Sequence, residues 1–365
     1  MNTITYDLRG ILGVELVDAS EPDIRALDRQ LGPIRGGLPS GPLIRIRFVD
    51  RLEHGPLRLT GIRESGHDGT RFVVLRSVHK VPARVAVSVL DVGASIEIVA
   101  ERAVPAVPLL IPIINLTALA TGVVAVHAAA FVHEGRGILV TGWSKGGKTE
   151  TLLAFLRHGA SYVGDEWIYV RPDGTMEGIP EPIRLWQWHL DQLDQVRSRL
   201  PGTDRVRLGA LSAAGHALRL AGRRVGPARR AASAVAGQRY ADVAPHRILG
   251  PGSIARGPVP IDAVVFVGST TSPAVNVRTT SATDVVDRVV HSLAYERREL
   301  VARAWEQRFA EPGRRSALLD DALRLERHAL MAALGDCPVL ALDHPYPVDI
   351  DSLYRTLAPA LAMGS

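Results

Sequence analysis

The chain has 365 residues, 46% of them hydrophobic and 22% charged, enough for a large core and for two domains. Its formal charge is only +5, and no nucleic-acid motif or interleaved aromatics accompany it, so a nucleic-acid partner is not expected. A single cysteine, Cys337, excludes an internal disulfide, and no basic, apolar leader opens the sequence, so the expected location is a reducing cytoplasm.

Residues 1–102 are expected to form a β-rich N-terminal domain. Alternating apolar stretches at 43–49, 71–75 and 95–99 read as strands between Gly, Pro and charged turns, and 23–31 reads as one short helix. No catalytic constellation is visible there. The second domain, 103–365, opens on a nearly uncharged run at 103–126 that is long enough to cross a bilayer. Pro105, Pro108 and Pro112 crowd its first half, and Asn115 and Gly122 interrupt the second. A buried helix at about 109–120 that feeds a strand explains the run better, and no membrane span is expected.

The strand is 123–132, and His127 breaks its apolar pattern. Such a histidine is either a satisfied core side chain or a polar partner for chemistry beside the strand. A turn at 134–137 leads back into a short buried strand at 137–141, making a hairpin. Next comes Gly142-Trp-Ser-Lys-Gly-Gly-Lys-Thr149, which fits the phosphate-loop pattern G-x4-G-K-(S/T) between a strand and an amphipathic helix at 150–157. The bland alternative is a glycine-rich strand-to-helix turn. Against it, only three of the 43 basic residues are lysines (Lys80, Lys145 and Lys148), and two of them lie in this loop. A compact ammonium placed where arginine supplies nearly all other positive charge points to phosphate binding. The expected contacts to a nucleotide or another polyphosphate are Gly142, Ser144, Lys145, Gly146, Gly147, Lys148, Thr149 and Glu150. The loop amides and the helix N-terminus surround phosphate oxygens, Lys148 reaches the β- and γ-phosphates, and the Thr149 hydroxyl completes a Mg²⁺ shell.

Further on, Asp165 and Glu166 interrupt an apolar strand at 162–170. Carboxylates there are costly unless a cation or donors meet them, and Mg²⁺ coordination or proton abstraction beside the phosphate loop supplies the reason. The expected metal ligands are Thr149, Asp165 and Glu166. Between about 197 and 256 lie twelve arginines against Asp204 and Asp242. This insertion is either a grip on an acidic or phosphorylated group or a solvated, partly disordered loop. Core pattern returns with a strand at 260–267, a helix at 282–295, a mostly helical stretch at 297–334, a strand at 339–342 and a closing helix at 350–361.

Together these residues resemble the catalytic domain of the HPr kinase/phosphorylase family. That family carries a histidine strand, a loop G-x-S-G-x-G-K-S-E-T, a helix, and then R-G-x-x-L-V-A-D-D. Here Gly142 to Thr151 reads GWSKGGKTET, and Arg157 to Glu166 reads RHGASYVGDE. The resemblance covers about sixty residues, from Val123 to roughly Leu185. It implies an α/β fold with a nucleotide-binding core similar to phosphoenolpyruvate carboxykinase. It also implies catalytic roles for His127, Lys148 and Asp165, the last as acceptor of the substrate's hydroxyl proton. Lys145 replaces an inner glycine, Glu166 replaces an aspartate, and no E-(I/V)-R-G-(L/I)-G segment follows. These departures set the chain with the divergent HPr-kinase-related proteins, some of which modify peptides. The expected activity is an ATP-dependent kinase acting on a hydroxyl of a peptide, a protein serine or a small molecule. The alternative is a nucleotide-binding regulator without transfer. A homo-oligomer is compatible with either.

Overall fold

The computed structural model describes residues 3–32, 34–61, 64–69, 71–76, 82–222, 226–250 and 252–363. Lys80, Arg223 and Arg224 lie outside the described residues. Near the N-terminus the chain builds eight strands: β1 (Thr3–Leu8), β2 (Leu12–Val17), β3 (Leu43–Val49), β4 (Arg58–Thr60), β5 (Ser65–His67), β6 (Phe72–Arg76), β7 (Pro82–Ala86) and β8 (Ile96–Glu101). Their order in the sheet is β1-β2-β3-β8-β7-β6-β5-β4. The alternation in β3 explains its placement. Ile44, Ile46 and Phe48 face the core, while Arg45 and Arg47 face outward and pair with Glu15 and Glu97 on the two flanking strands. Helix α1 (Glu21–Leu31) covers the inner face with Ile24, Leu27 and Leu31.

The apolar run at 103–126 resolves as expected into a short helix, α2 (Leu110–Ala120), followed by a long strand, β9 (Val124–His133). Among the described residues no helix is long and apolar enough to cross a membrane. The second sheet is assembled around β9 and β10 (Arg136–Gly142). Its other strands are β11 (Ser161–Gly164), β12 (Trp167–Val170), β13 (Thr175–Gly178), β16 (Val259–Pro260), β17 (Ala263–Thr270), β18 (Asn276–Thr279) and β19 (Val339–Pro345). They run β16-β13-β12-β9-β10-β17-β19-β18, with β11 paired to the far half of β9. β10, β17 and β19 are parallel, whereas β9 is antiparallel to β10, β11 and β12. The sheet is therefore mixed, and the protein is an α/β fold of large mixed sheets.

Helices cover both faces. On one side α3 (Lys148–Arg157) packs with α12 (Ile350–Met363), burying Leu152, Phe155, Leu353 and Leu357. On the other lie α2, α9 (Ala282–Glu296) and α11 (Ala317–Leu334), with α10 (Arg298–Ala310) between the last two in the chain. The apolar cluster on this side runs without a break from Tyr6 of β1, through Ile113 and Ile114 of α2, to Val339 of β19. The two sheets thus share one core.

The arginine-rich stretch is more ordered than a solvated loop. After the short α4 (Gln187–Leu190) and α5 (Asp194–Arg199) it forms α6 (Gly202–Gly222) and α7 (Gly226–Ala236), which pack together. Strand β15 (Tyr240–Val243) then pairs with β14 (Ile183–Trp186), and α8 (Pro245–Ile248) closes the segment. Ala and Gly on facing sides explain the close packing. A Cβ on Gly215 would come within 3.6 Å of Val235 Cγ1 of α7.

Candidate functional site

The glycine-rich loop joins β10 to α3 at the C-terminal edge of the parallel strands, beside β17. Gly142 leaves no room for a side chain, since a Cβ there would lie 2.2 Å from Val267 O. Gly147 adopts φ +112°, and its added Cβ would meet His344 Nε2 at 1.9 Å. Only glycine fits both demands. Lys145 also sits in the left-handed region, at φ +62°. A lysine there occupies the backbone conformation that glycine adopts most freely, which is why an inner glycine suits this slot.

The helix N-terminus at Lys148 directs free backbone amides into the loop. Lys148 is buried, and its Nζ donates to Trp143 O at 3.0 Å across the loop. Burial pushes the lysine pKa down, while the charges of Glu166, Asp165 and Glu296 act the other way. Beneath the loop, His344 of β19 is fully buried and its Nε2 donates to Gly146 O at 2.9 Å. Glu150, one residue after Thr149, is held by His189 Nε2 at 3.2 Å. His189 Nδ1 accepts from Trp186 N, so Nε2 carries the proton that reaches Glu150. Burial raises the Glu150 carboxyl, but the hydrogen bond from His189 outweighs it and leaves the pKa below the ordinary glutamate value.

Asp165 and Glu166 join β11 to β12 along β9, between the pairs Gly164–Ala130 and Trp167–His127, and so lie opposite Ala129 and Ala128. Ala128 N donates to Glu166 O, and Glu166 adopts φ +72°. The left-handed backbone at Glu166 goes with two carboxyls that point in different directions. Asp165 is 3% exposed and accepts from Thr149 Oγ1 at 3.1 and 3.3 Å. Burial, then the neighbouring charge of Glu166, pushes its pKa up to about 7. Glu166 turns to His127 Nε2 at 3.2 Å, and the other ring nitrogen, Nδ1, lies 3.1 Å from Glu296 of α9. Burial works against a charged imidazole, but the hydrogen bonds to the two carboxylates prevail and the His127 pKa is raised. The hydrogen bond from His127 is the main cause that lowers Glu166.

These groups line one cleft of about 1140 Å³. Of the residues expected from sequence, His127, Ser144, Lys145, Gly146, Gly147, Lys148, Thr149, Glu150, Asp165 and Glu166 all face it, and Gly142 alone lies beneath. His127 is neither a core histidine nor isolated, but a link between two carboxylates. Sequence reasoning missed Glu296, His189 and His344, which lie 39 to 198 residues from their partners and carry no local pattern. Arg184 faces the cleft, paired with Asp242 and stacked 4.4 Å over the Tyr240 ring. The insertion adds Arg239, which also faces the cleft and donates to Ser212 of α6 at 3.0 Å.

Among the described residues no group of three His, Cys, Asp or Glu side chains is arranged to hold a metal ion. A nucleotide-borne Mg²⁺ does not need one, because phosphate and water complete its shell. The Thr149 hydroxyl is open to such an ion, whereas the expected ligand Glu166 is turned to His127 Nε2. No protein-family model matches the sequence, and no curated protein does.

Proposed function

We propose that the protein is an ATP-dependent kinase of the HPr-kinase-like class that transfers a γ-phosphoryl group to a hydroxyl acceptor. The observation that carries this reading is the Thr149–Asp165 hydrogen bond beside buried Lys148, within a cleft wide enough for a nucleotide. An ordinary strand-to-helix turn gives no reason to bury a lysine and an aspartate together at a helix start. The mixed sheet, with antiparallel β9 between the phosphate-loop strand and the acid pair, supports an HPr-kinase-like core over a doubly wound one.

In this reading the loop amides and Lys148 hold the β- and γ-phosphates. Thr149, with phosphate and water oxygens, would hold Mg²⁺, which when bound neutralises phosphate charge, while Asp165 stays off the metal as the base. Glu166, also expected as a ligand, is turned to His127. A carboxylate whose pKa is pushed up to about 7 is matched to accepting a hydroxyl proton near neutrality. Arg184 and Arg239 bring positive charge to the cleft wall, where transferred negative charge needs it. Calorimetric titration with Mg²⁺-ATP, followed by incubation of candidate acceptors with γ-labelled ATP, tests the proposal. Micromolar binding and labelled product are expected, and absence of binding by the folded protein sinks it. Binding without transfer or slow hydrolysis would favour a nucleotide-responsive regulator instead.

A further inference from the structure

A second cavity, of about 280 Å³, lies between α2, β9, α9 and α11. It shares His127 and Glu166 with the nucleotide cleft, so the two spaces meet at that pair. Leu116, Leu119, Val124 and Leu293 make its wall apolar. The polar groups are few and distinct. Asn115 Oδ1 is buried without a hydrogen-bond partner, which is costly unless something fills the space beside it. Farther along, Arg297 and Glu326 form a buried bidentate pair, with Nη2 to Oε2 at 2.8 Å. Three carboxylates, Glu166, Glu296 and Glu326, face two cations, His127 and Arg297, so the lining is acidic on balance even with the ring charged.

We propose that this cavity is the acceptor subsite, and that the acceptor is a small neutral or cationic alcohol with an apolar body. The inference rests on the kinase reading and narrows it. The volume equals that of about nine waters, which suits a small molecule and excludes a folded protein surface. An apolar wall with a few convergent polar atoms is the usual makeup of a small-molecule site. The acidic balance disfavours an anionic acceptor such as a sugar phosphate. The acceptor hydroxyl lies at the His127–Glu166 end, facing the nucleotide. Its oxygen forms a bond to the γ-phosphorus as the bond to the β,γ-bridging oxygen breaks. ADP leaves with that electron pair, and the hydroxyl proton passes to Asp165.

The test uses the full chain and defined probes: primary alcohols from ethanol to 1-octanol, 6-amino-1-hexanol and 6-hydroxyhexanoate. Binding is read by ligand-observed NMR without nucleotide, and phosphate-ester formation is read with γ-labelled ATP. Affinity should tighten about fourfold per added methylene until the cavity is full. The amino alcohol should bind about tenfold or more tighter than the hydroxy acid of equal length. Leu119→Trp, which fills the apolar wall, should lose the chain-length dependence. The wild-type series decides the matter even if that variant fails to fold. A flat series, or equal binding of the hydroxy acid, overturns the subsite. Alcohols that bind but are never labelled overturn its acceptor role. If Mg²⁺-ATP binds while the alcohols do not, only this inference falls; if Mg²⁺-ATP does not bind, the kinase reading falls and takes the acceptor role with it.

Discussion

In the proposed reading Lys148 and Asp165 divide the work of the cleft, and substitutions should separate them. Lys148→Ala removes the mobile cation that bridges the loop to Trp143 O, and Mg²⁺-ATP affinity should fall about 10²-fold with the fold retained. Unchanged affinity by calorimetry would falsify the loop assignment. Asp165→Asn keeps a partner for Thr149 but cannot accept a proton, so binding should persist while transfer drops ~10²–10⁴-fold. In the wild type, transfer should rise through about pH 7 as Asp165 ionises, and the variant should lose that rise. Stability gives an independent check. The folded pKa of Asp165 lies above its unfolded value, so its contribution is fully present below about pH 4 and is lost as pH rises through about 7. Asp165→Asn should therefore be more stable than wild type at pH 8, on the order of 4 kcal/mol, with no gain at pH 4. Denaturant titrations at the two pH values would show it, and a destabilised variant at pH 8 would mean the buried carboxylate is not strained.

At the scale of elements, the loop is tightened from below by a residue nearly two hundred positions away. His344 of β19 braces Gly146, and Gly147 touches the same ring. Gly147→Ala should abolish nucleotide binding for two reasons, a left-handed backbone costing ~1–2 kcal/mol and a clash with His344. His344→Ala in the same chain should relieve the clash but not the backbone cost, so binding should return in part. Full recovery would show that φ does not matter there. Much of this region was legible in sequence because its signals are local. The hairpin β9–β10, the loop, α3 and the interrupted strand β11–β12 lie within about fifty residues and follow apolar periods of 2 and 3.6. The brace from His344 and the clamp of Glu296 on His127 were not legible, since only sheet topology and helix packing bring them in. The insertion escaped for another reason. Among the described residues, α6 and α7 bury few large apolar side chains; Leu208 is one, and small residues such as Gly215 and Ala232 make up much of the rest. Helical periodicity is therefore faint, although the segment delivers Arg239 to the cleft.

Across the whole molecule, the first sheet is structural support for the cleft-bearing half. Strand β2 packs on α2, and α10 lies against β4 and β5. Polar contacts cross the same boundary. Ser65 Oγ donates to Glu306, Gln307 Nε2 donates to Ser88 Oγ at 3.1 Å, Arg9 Nε donates to Gly178 O at 3.1 Å, and Arg314 pairs with Asp91. Gln307 is 1% exposed and Arg303 is 7% exposed, so removing their surroundings would strand polar groups as well as bare apolar ones. Cutting the chain at 102 severs the shared core between Ile46 or Phe48 on one side and Ile113 or Leu116 on the other. Each large side chain newly exposed forfeits ~1.5–3 kcal/mol, against a total stability of roughly 5–15 kcal/mol for a domain. A fragment of residues 103–365 should therefore fail to fold cooperatively, although it contains every residue of the proposed nucleotide site. Its far-ultraviolet circular dichroism would keep helix signal, while dye binding and a broadened thermal transition would report lost packing. A sharp, two-state transition together with wild-type Mg²⁺-ATP affinity in that fragment would show that the cleft does not depend on the first sheet.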